Sequence, residues 1–392
     1  MDAEGPGGGV EPVPGPADPL DRPVPRERNP MLAPDNRLKL ALFCANVARG
    51  TSMSFAESLP KGQWEEAARL ATRADAAGID GYIPLGRWKH NSRSRPQDDR
   101  FVESFTGAAA LAALTRRISV FATVHVPLFH PVAVAAMAST IDHVSAGRFS
   151  INVVAGWSAD ELSMFGVGLR AHDERYEYAA EWIELLKRLW TAEEVFDFHG
   201  RFLDATGVVS KPLPLQRPYP AIMSAGSSPA GRRFAAQHAD INFVHLPSFE
   251  EMARTVAAAR DEARATSGRN PGIFAGGYIV CADTEREAWR RYHHVVRDQL
   301  DVASASEFIE MFNRQAQSAL VVAERDRVDR MAAGFNAMTL VGTAEQIVER
   351  MQRMADAGLA GLAISFDDYD EGLAAYDEAI RPLLIDAGLR VV

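Results

Sequence analysis

Eight short runs of β-type apolar residues recur along the chain, and a segment of helical periodicity follows each one. The strand-like runs fall at 38–45, 79–85, 118–125, 149–155, 221–225, 241–245, 273–281 and 361–366. The helical segments fall at 63–77, 102–114, 131–145, 173–190, 230–238, 249–266, 285–298 and 370–387. The punctuation agrees: Gly78 closes the first helix and Pro131 opens the third, where a missing N–H costs nothing. Strict alternation of this kind requires parallel strands, each covered by the helix that returns the chain to the same end of the sheet. A count of eight favours a closed barrel over an open sheet, and no glycine-rich dinucleotide fingerprint follows the first strand. The expected fold class is therefore α/β, a (β/α)8 TIM barrel with insertions at the C-terminal face.

The 392 residues fit one such barrel with insertions, and 47% hydrophobic with 24% charged residues suffices for a large core. Residues 1–36 are dominated by Pro, Gly and charge and are expected to be a flexible tail, with a single domain over 37–392. The charged helical stretch 299–340 breaks the alternation and is expected to be an inserted lid, a solvated surface insertion being the alternative. The net charge of −10 argues against nucleic acid and anionic membrane as partners. Cys44 and Cys281 sit in no metal-ligand or redox spacing, no His/Asp/Glu cluster suggests a metal, and no apolar run reaches a membrane span. With no basic-then-apolar leader at the start, the expected compartment is the cytoplasm.

Active sites of parallel barrels lie where the strands end. The second run ends in Pro84-Leu85-Gly86-Arg87-Trp88, the third in Thr123-Val124-His125, the fourth in Asn152-Val153-Val154-Ala155-Gly156-Trp157, the fifth in Ala225-Gly226-Ser227-Ser228 and the sixth in His245. Glycine followed by two hydroxyls at a helix start suits a phosphate, although Ser-Ser-Pro is also an ordinary helix cap. Asn152 inside an apolar run needs partners, because an unpaired buried amide costs about 1–3 kcal/mol. Those partners can be a ligand or the protein itself. Thr123 can equally be a plain strand former, and His125 and His245 satisfied histidines at the edge of the core. No nucleophile elbow supports a hydrolase.

Several ordered motifs resemble the bacterial luciferase-like flavin monooxygenases. They are Ile141-Asp142-His143-Val144-Ser145-Ala146-Gly147-Arg148-Phe149, then Asn152 to Trp157, His172-Asp173-Glu174-Arg175-Tyr176, Glu181-Trp182, Leu189-Trp190, Phe198 to Phe202, Gly226-Ser227-Ser228 and Leu340 to Thr343. The resemblance spans residues 36–388 and is nearest the branch of pyrimidine oxygenases, dimethyl sulfone monooxygenases and alkanesulfonate monooxygenases. It implies a two-component enzyme that takes reduced FMN from a separate NAD(P)H-dependent flavin reductase and inserts oxygen from O2 into a small molecule. An N5- or a C4a-peroxide of the flavin is compatible with it, as is C–S or C–N cleavage.

By the same resemblance Thr123 and Asn152 flank the flavin, while Tyr176, Ser227 and Ser228 hold its phosphate, with Gly156, Ala225 and Gly226 in the cofactor's surroundings. Thr123, Asn152, His125 and Trp88 are the expected catalytic positions. Two substrate classes stay open. Lys89, His90, Arg93, Arg95, Arg325, Arg327 and Arg330 would suit an anion, and Trp88, Phe129 and Trp157 would suit a planar ring. A homo-oligomer, dimer or tetramer, is also implied. The alternatives are an F420-dependent oxidoreductase on the same fold and a non-catalytic flavin-binding subunit.

Overall fold

The computed structural model describes residues 22–89, 94–95, 97, 99–226, 228–316 and 324–391. Nine parallel strands form its main sheet: β1 Lys39–Phe43, β2 Gly81–Ile83, β3 Ser119–His125, β4 Phe149–Val154, β5 Ala221–Ser224, β6 Ile241–Phe243, β7 Gly272–Cys281, β8 Met338–Gly342 and β9 Gly361–Phe366. Seven of them, β1 to β7, pair in sequence, and β9 closes the ring between β7 and β1. The (β/α)8 barrel is thus complete with eight strands.

The ninth strand was not foreseen. Residues 338–342 adjoin the charged insertion, and the helix Ala344–Asp356 that follows them makes a ninth strand–helix unit that the count of eight left out. β6 pairs with β7 only as far as Phe274, which leaves that edge of the long β7 free, and β8 occupies it through Gly277–Cys281. The insertion itself comprises α9 Val302–Ala316 and α10 Glu324–Gly334 before β8 begins.

Alternation along the strands sets up two packed layers. Ala41, Ile83, Phe121, Met223, Ile241, Phe243, Phe274 and Ala363 fill the barrel interior, while Leu40, Leu42, Val120, Ile151 and Ile279 meet the surrounding helices. The first helix shows the pattern: α1 Trp64–Ala76 buries Ala67, Leu70, Ala71 and Ala74, one stripe at 3.6-residue spacing.

The barrel's N-terminal end is plugged from within. Met31 joins the interior cluster, and a Cβ on Gly81 would lie 2.6 Å from its sulfur. Buried Asn29 donates to Phe149 O, Ser150 Oγ and Gln216 Oε1 at 3.0–3.1 Å, and Val24–Pro25 pairs with Gln216–Arg217. The expected tail to residue 36 is therefore corrected over residues 24–35. The segment is poor in apolar residues, but one methionine and one asparagine suffice to seat it.

Two of the motifs that carried the resemblance turn out to be architectural. In Ser145-Ala146-Gly147-Arg148, Ala146 and Gly147 take left-handed φ values of 55° and 84°. Arg148 then donates to the carbonyls of Ala112, Thr115 and Ile118, tying the start of β3 to that of β4. Glu181 accepts the backbone N–H groups of Arg201, Phe202 and Leu203 and pins the 196–208 hairpin onto α5 His172–Thr191. Among the described residues no helix is long and apolar enough to cross a membrane.

Candidate active site

A cavity of about 240 Å³ opens at the C-terminal end of the barrel. Phe43, Phe243, Gly276 and Ala363 form its floor, the loops after β2, β4, β5 and β6 its sides, and Phe308 of α9 with Phe335 its outer wall. Floor and outer wall are mostly apolar.

Thr123 and Asn152 face each other across the β3–β4 pairing, where they are register partners. The Thr123 hydroxyl donates to Pro84 O at 2.6 Å, and Asn152 Nδ2 donates to Thr123 Oγ1 at 3.2 Å. A hydroxyl has one hydrogen, and here it is spent on a carbonyl, so the threonine oxygen can only accept from the asparagine. This fixes the amide's orientation. Asn152 Oδ1 is left buried without a partner, and both residues line the cavity. An orphaned buried acceptor costs about 1–3 kcal/mol unless a donor completes it.

At the other side the cavity meets the start of α6 Pro229–His238. Ser228 caps this helix by accepting from Gly231 N at 3.1 Å. A Cβ on Gly226 would lie 2.6 Å from Gly231 Cα, so only glycine allows this approach. Tyr176 and Arg175 come in from α5. The tyrosine hydroxyl would lie 2.7 Å from a Cβ on Gly231, and Arg175 donates to Gly156 O at 2.7 Å with its Nε buried and unpartnered. Gly156 itself needs its left-handed φ of 91° to turn the chain out of β4. Backbone N–H groups at a helix start, hydroxyls and a guanidinium together make an anion cradle.

A third group of side chains surrounds Arg87, which lines the cavity and lies over the Trp157 ring at 5.2 Å. Behind it, buried Glu161 of α4 Ala159–Met164 accepts from Arg87 Nη1 at 3.2 Å. His125 lines the wall beside this pair. Burial pushes its pKa down to about 4, against the opposing pull of Glu161 and with a further push from Arg87. Burial does the same to His245, also to about 4, with Arg330 acting in the same direction. Both imidazoles are neutral at pH 7.

Of the positions expected from the sequence, Thr123, His125, Asn152, Gly156, Tyr176, Ala225, Gly226 and Ser228 converge on this one cavity. Ser227, His90 and Arg93 lie outside the described residues, as does the Arg325 side chain. Trp88, an expected catalytic position, is not among the residues that line the cavity; it packs against Phe129 and Phe165, and the turn after β2 presents Arg87 there. Lys89, Arg95, Arg327 and Arg330 are not lining residues either. Lys89 pairs with Asp160, and Arg330 is buried among the carbonyls of Leu246, Pro247, Asn336 and Ala337. Arg175, Glu161, Phe308 and Asn336 were not singled out. They reach the site from helices and an insertion, where no strand end marks them.

The fold is a (β/α)8 barrel with its cavity at the strands' C-terminal ends, and the chain belongs to the luciferase-like monooxygenase family, whose model matches residues 39–361. It is a flavin-dependent monooxygenase. The pyrimidine monooxygenase RutA of Cronobacter turicensis is 34% identical over 307 residues, 76% of each chain. Among solved structures, the long-chain alkane monooxygenase LadA superposes with a TM-score of 0.79 at 20% identity, covering 91% of this chain and 92% of that one. Riboflavin lyase RcaE, solved with a modified FMN and riboflavin, gives 0.78 at 22% identity over 90% and 92%.

Proposed function

We propose that this enzyme uses reduced FMN, supplied by a separate flavin reductase, and O2 to oxygenate a small planar, uncharged substrate of the pyrimidine type. The observation that carries this reading is Asn152 Oδ1, a buried acceptor whose direction is dictated by the Thr123 hydroxyl. A reduced isoalloxazine carries a ring N–H that such an acceptor would complete. The α6 cradle of Gly226, Ser228, Tyr176 and Arg175 would take the phosphate. The flavin, when bound, supplies the two electrons and the oxygen chemistry, which amino-acid side chains cannot.

The chain's own residues have simpler duties. Thr123 and Asn152 orient the ring against the β3–β4 wall. Phe43, Phe243, Phe308 and Phe335 keep water away from the reacting centre. Trp157, steadied by Arg87 on one side and packed edge-on against Phe308 at 6.2 Å, offers a flat face to a planar substrate. Of the cations that would have suited an anionic substrate, Lys89, Arg95, Arg327 and Arg330 do not line the cavity, and the pyrimidine monooxygenase relatives favour the planar class.

Anaerobic titration with photoreduced FMN tests the cofactor, with reduced F420 as the comparison. Tight binding of FMN but not F420 supports the reading, and the reverse preference overturns it. Uracil and thymine are the first substrates to try once O2 is admitted.

A further inference from the structure

Glu161 lies close behind the cavity wall without lining it. It is 1% exposed and sits on a six-residue helix. One of its oxygens, Oε1, is held three times over, by Arg87 Nη1 at 3.2 Å and by the backbone N–H groups of Trp88 and Lys89 at 3.3 Å each. The other, Oε2, has no hydrogen-bond partner and lies 3.7 Å from His125 Nδ1. His125 is 4% exposed and is the last residue of β3, two positions after Thr123 on the same inward-facing side of the strand.

We infer that His125 and Glu161 form a proton-accepting pair, with His125 Nε2 as the base that meets the substrate and Glu161 as its positioning residue. The inference rests on the monooxygenase reading above and narrows it to substrates with an N–H or O–H group beside the position that is oxidised.

A carboxylate oxygen only accepts, so the ring nitrogen turned towards Oε2 is the one that carries the hydrogen. The lone pair is then on Nε2, the nitrogen left for the cavity that His125 lines. Anchoring through Oε1 keeps Oε2 in place, as a carboxylate behind a catalytic imidazole must be kept. The charged groups facing the ring are Glu161 from α4 and Arg87 from the loop after β2, and burial keeps the resting imidazole neutral.

In the step itself the substrate's N–H or O–H bond breaks. Its electron pair stays on the substrate heteroatom and its proton passes to Nε2, giving an imidazolium whose Nδ1–H faces Glu161. The proton returns to the product or to water when the cavity opens. No oxidant or reductant takes part in this transfer.

The first test needs neither flavin nor substrate. Nitrogen-15 NMR of histidine-labelled protein, with the His125 signal assigned by its loss in His125→Gln, reads the tautomer directly. A single Nδ1–H tautomer in the wild type, lost or mixed in Glu161→Gln and restored in Glu161→Asp, is the expected result. An Nε2–H tautomer in the wild type overturns the inference.

The second test uses uracil as the probe under turnover with reduced FMN. His125→Gln is expected to lower kcat roughly 100-fold, with KM within about threefold, as loss of a general base does. An unchanged kcat in His125→Gln overturns the inference. A wild type inert towards uracil would count against the pyrimidine reading, and the tautomer measurement would still decide the pair.

Discussion

At the residue scale the site is governed by where single hydrogens go. Because Thr123 spends its proton on Pro84 O, Asn152→Ala should remove the acceptor that awaits the cofactor. One hydrogen bond of about 1 kcal/mol corresponds to roughly five- to tenfold weaker binding of reduced FMN in an anaerobic titration. A second prediction concerns pH. His125, His238 and His245 are each pushed down to about 4 from 6.5, so the unfolded chain takes up these protons first. Their contribution to stability is complete above pH 6.5 and is lost as the pH falls towards 4. Asp142 and Asp367, both raised by burial and the latter to about 6, act in the opposite sense, but two carboxyls do not offset three imidazoles. Thermal unfolding should give a Tm that declines from pH 7 to pH 4.5, and an unchanged Tm would refute this. Thr123, His125 and Asn152 could be picked out from the sequence because they interrupt or end apolar strands. Arg87 rather than Trp88 lines the cavity, and in such a turn one position decides which side chain faces inward.

At the element scale two short segments do more than their composition suggests. The 24–35 segment plugs the barrel with Met31 and Asn29, neither of which has a periodic pattern to announce it. Met31→Ala should lower stability by about 2–5 kcal/mol in urea unfolding, the usual cost of truncating a buried methionine. A loss below 0.5 kcal/mol would mean that the segment is merely laid against the barrel. The α6 start is the other such element. A Cβ at Gly226 would meet the backbone of Gly231, so Gly226→Ala must shift the helix end. Overpacking of this kind costs about 1–3 kcal/mol. If the cradle holds the cofactor phosphate, FMN affinity should fall roughly tenfold or more, as read by the same anaerobic titration. The Gly-Ser-Ser motif and the motif holding Arg175 were both visible in the sequence, but not that they line one cavity. That arginine lies in α5, some 50 residues away, and only the barrel's closure brings it there.

At the scale of the whole molecule, alternation of strand and helix made the fold readable, since each parallel crossover imposes the same hand and the same order. What alternation alone could not show was that β8, followed by its own helix Ala344–Asp356, lies at the free edge of β7 and outside the closed ring. The motifs that identify the family are divided between two ends of the barrel. Ser145 to Arg148 secures one end, while Asn152 to Trp157 shapes the other. Family membership was therefore easier to read than the cavity wall proposed for the substrate, where Arg87, Trp157 and Phe308 meet from three separate segments. The central claim is that this cavity binds reduced FMN and controls its reaction with oxygen. The measurement that tests it most directly is to mix the chain, preloaded anaerobically with reduced FMN, with oxygenated buffer and follow the absorbance on the millisecond scale. The account predicts oxidation in distinguishable phases, with a transient spectrum that free FMN does not give. Oxidation identical in rate and spectrum to that of free FMN would contradict it.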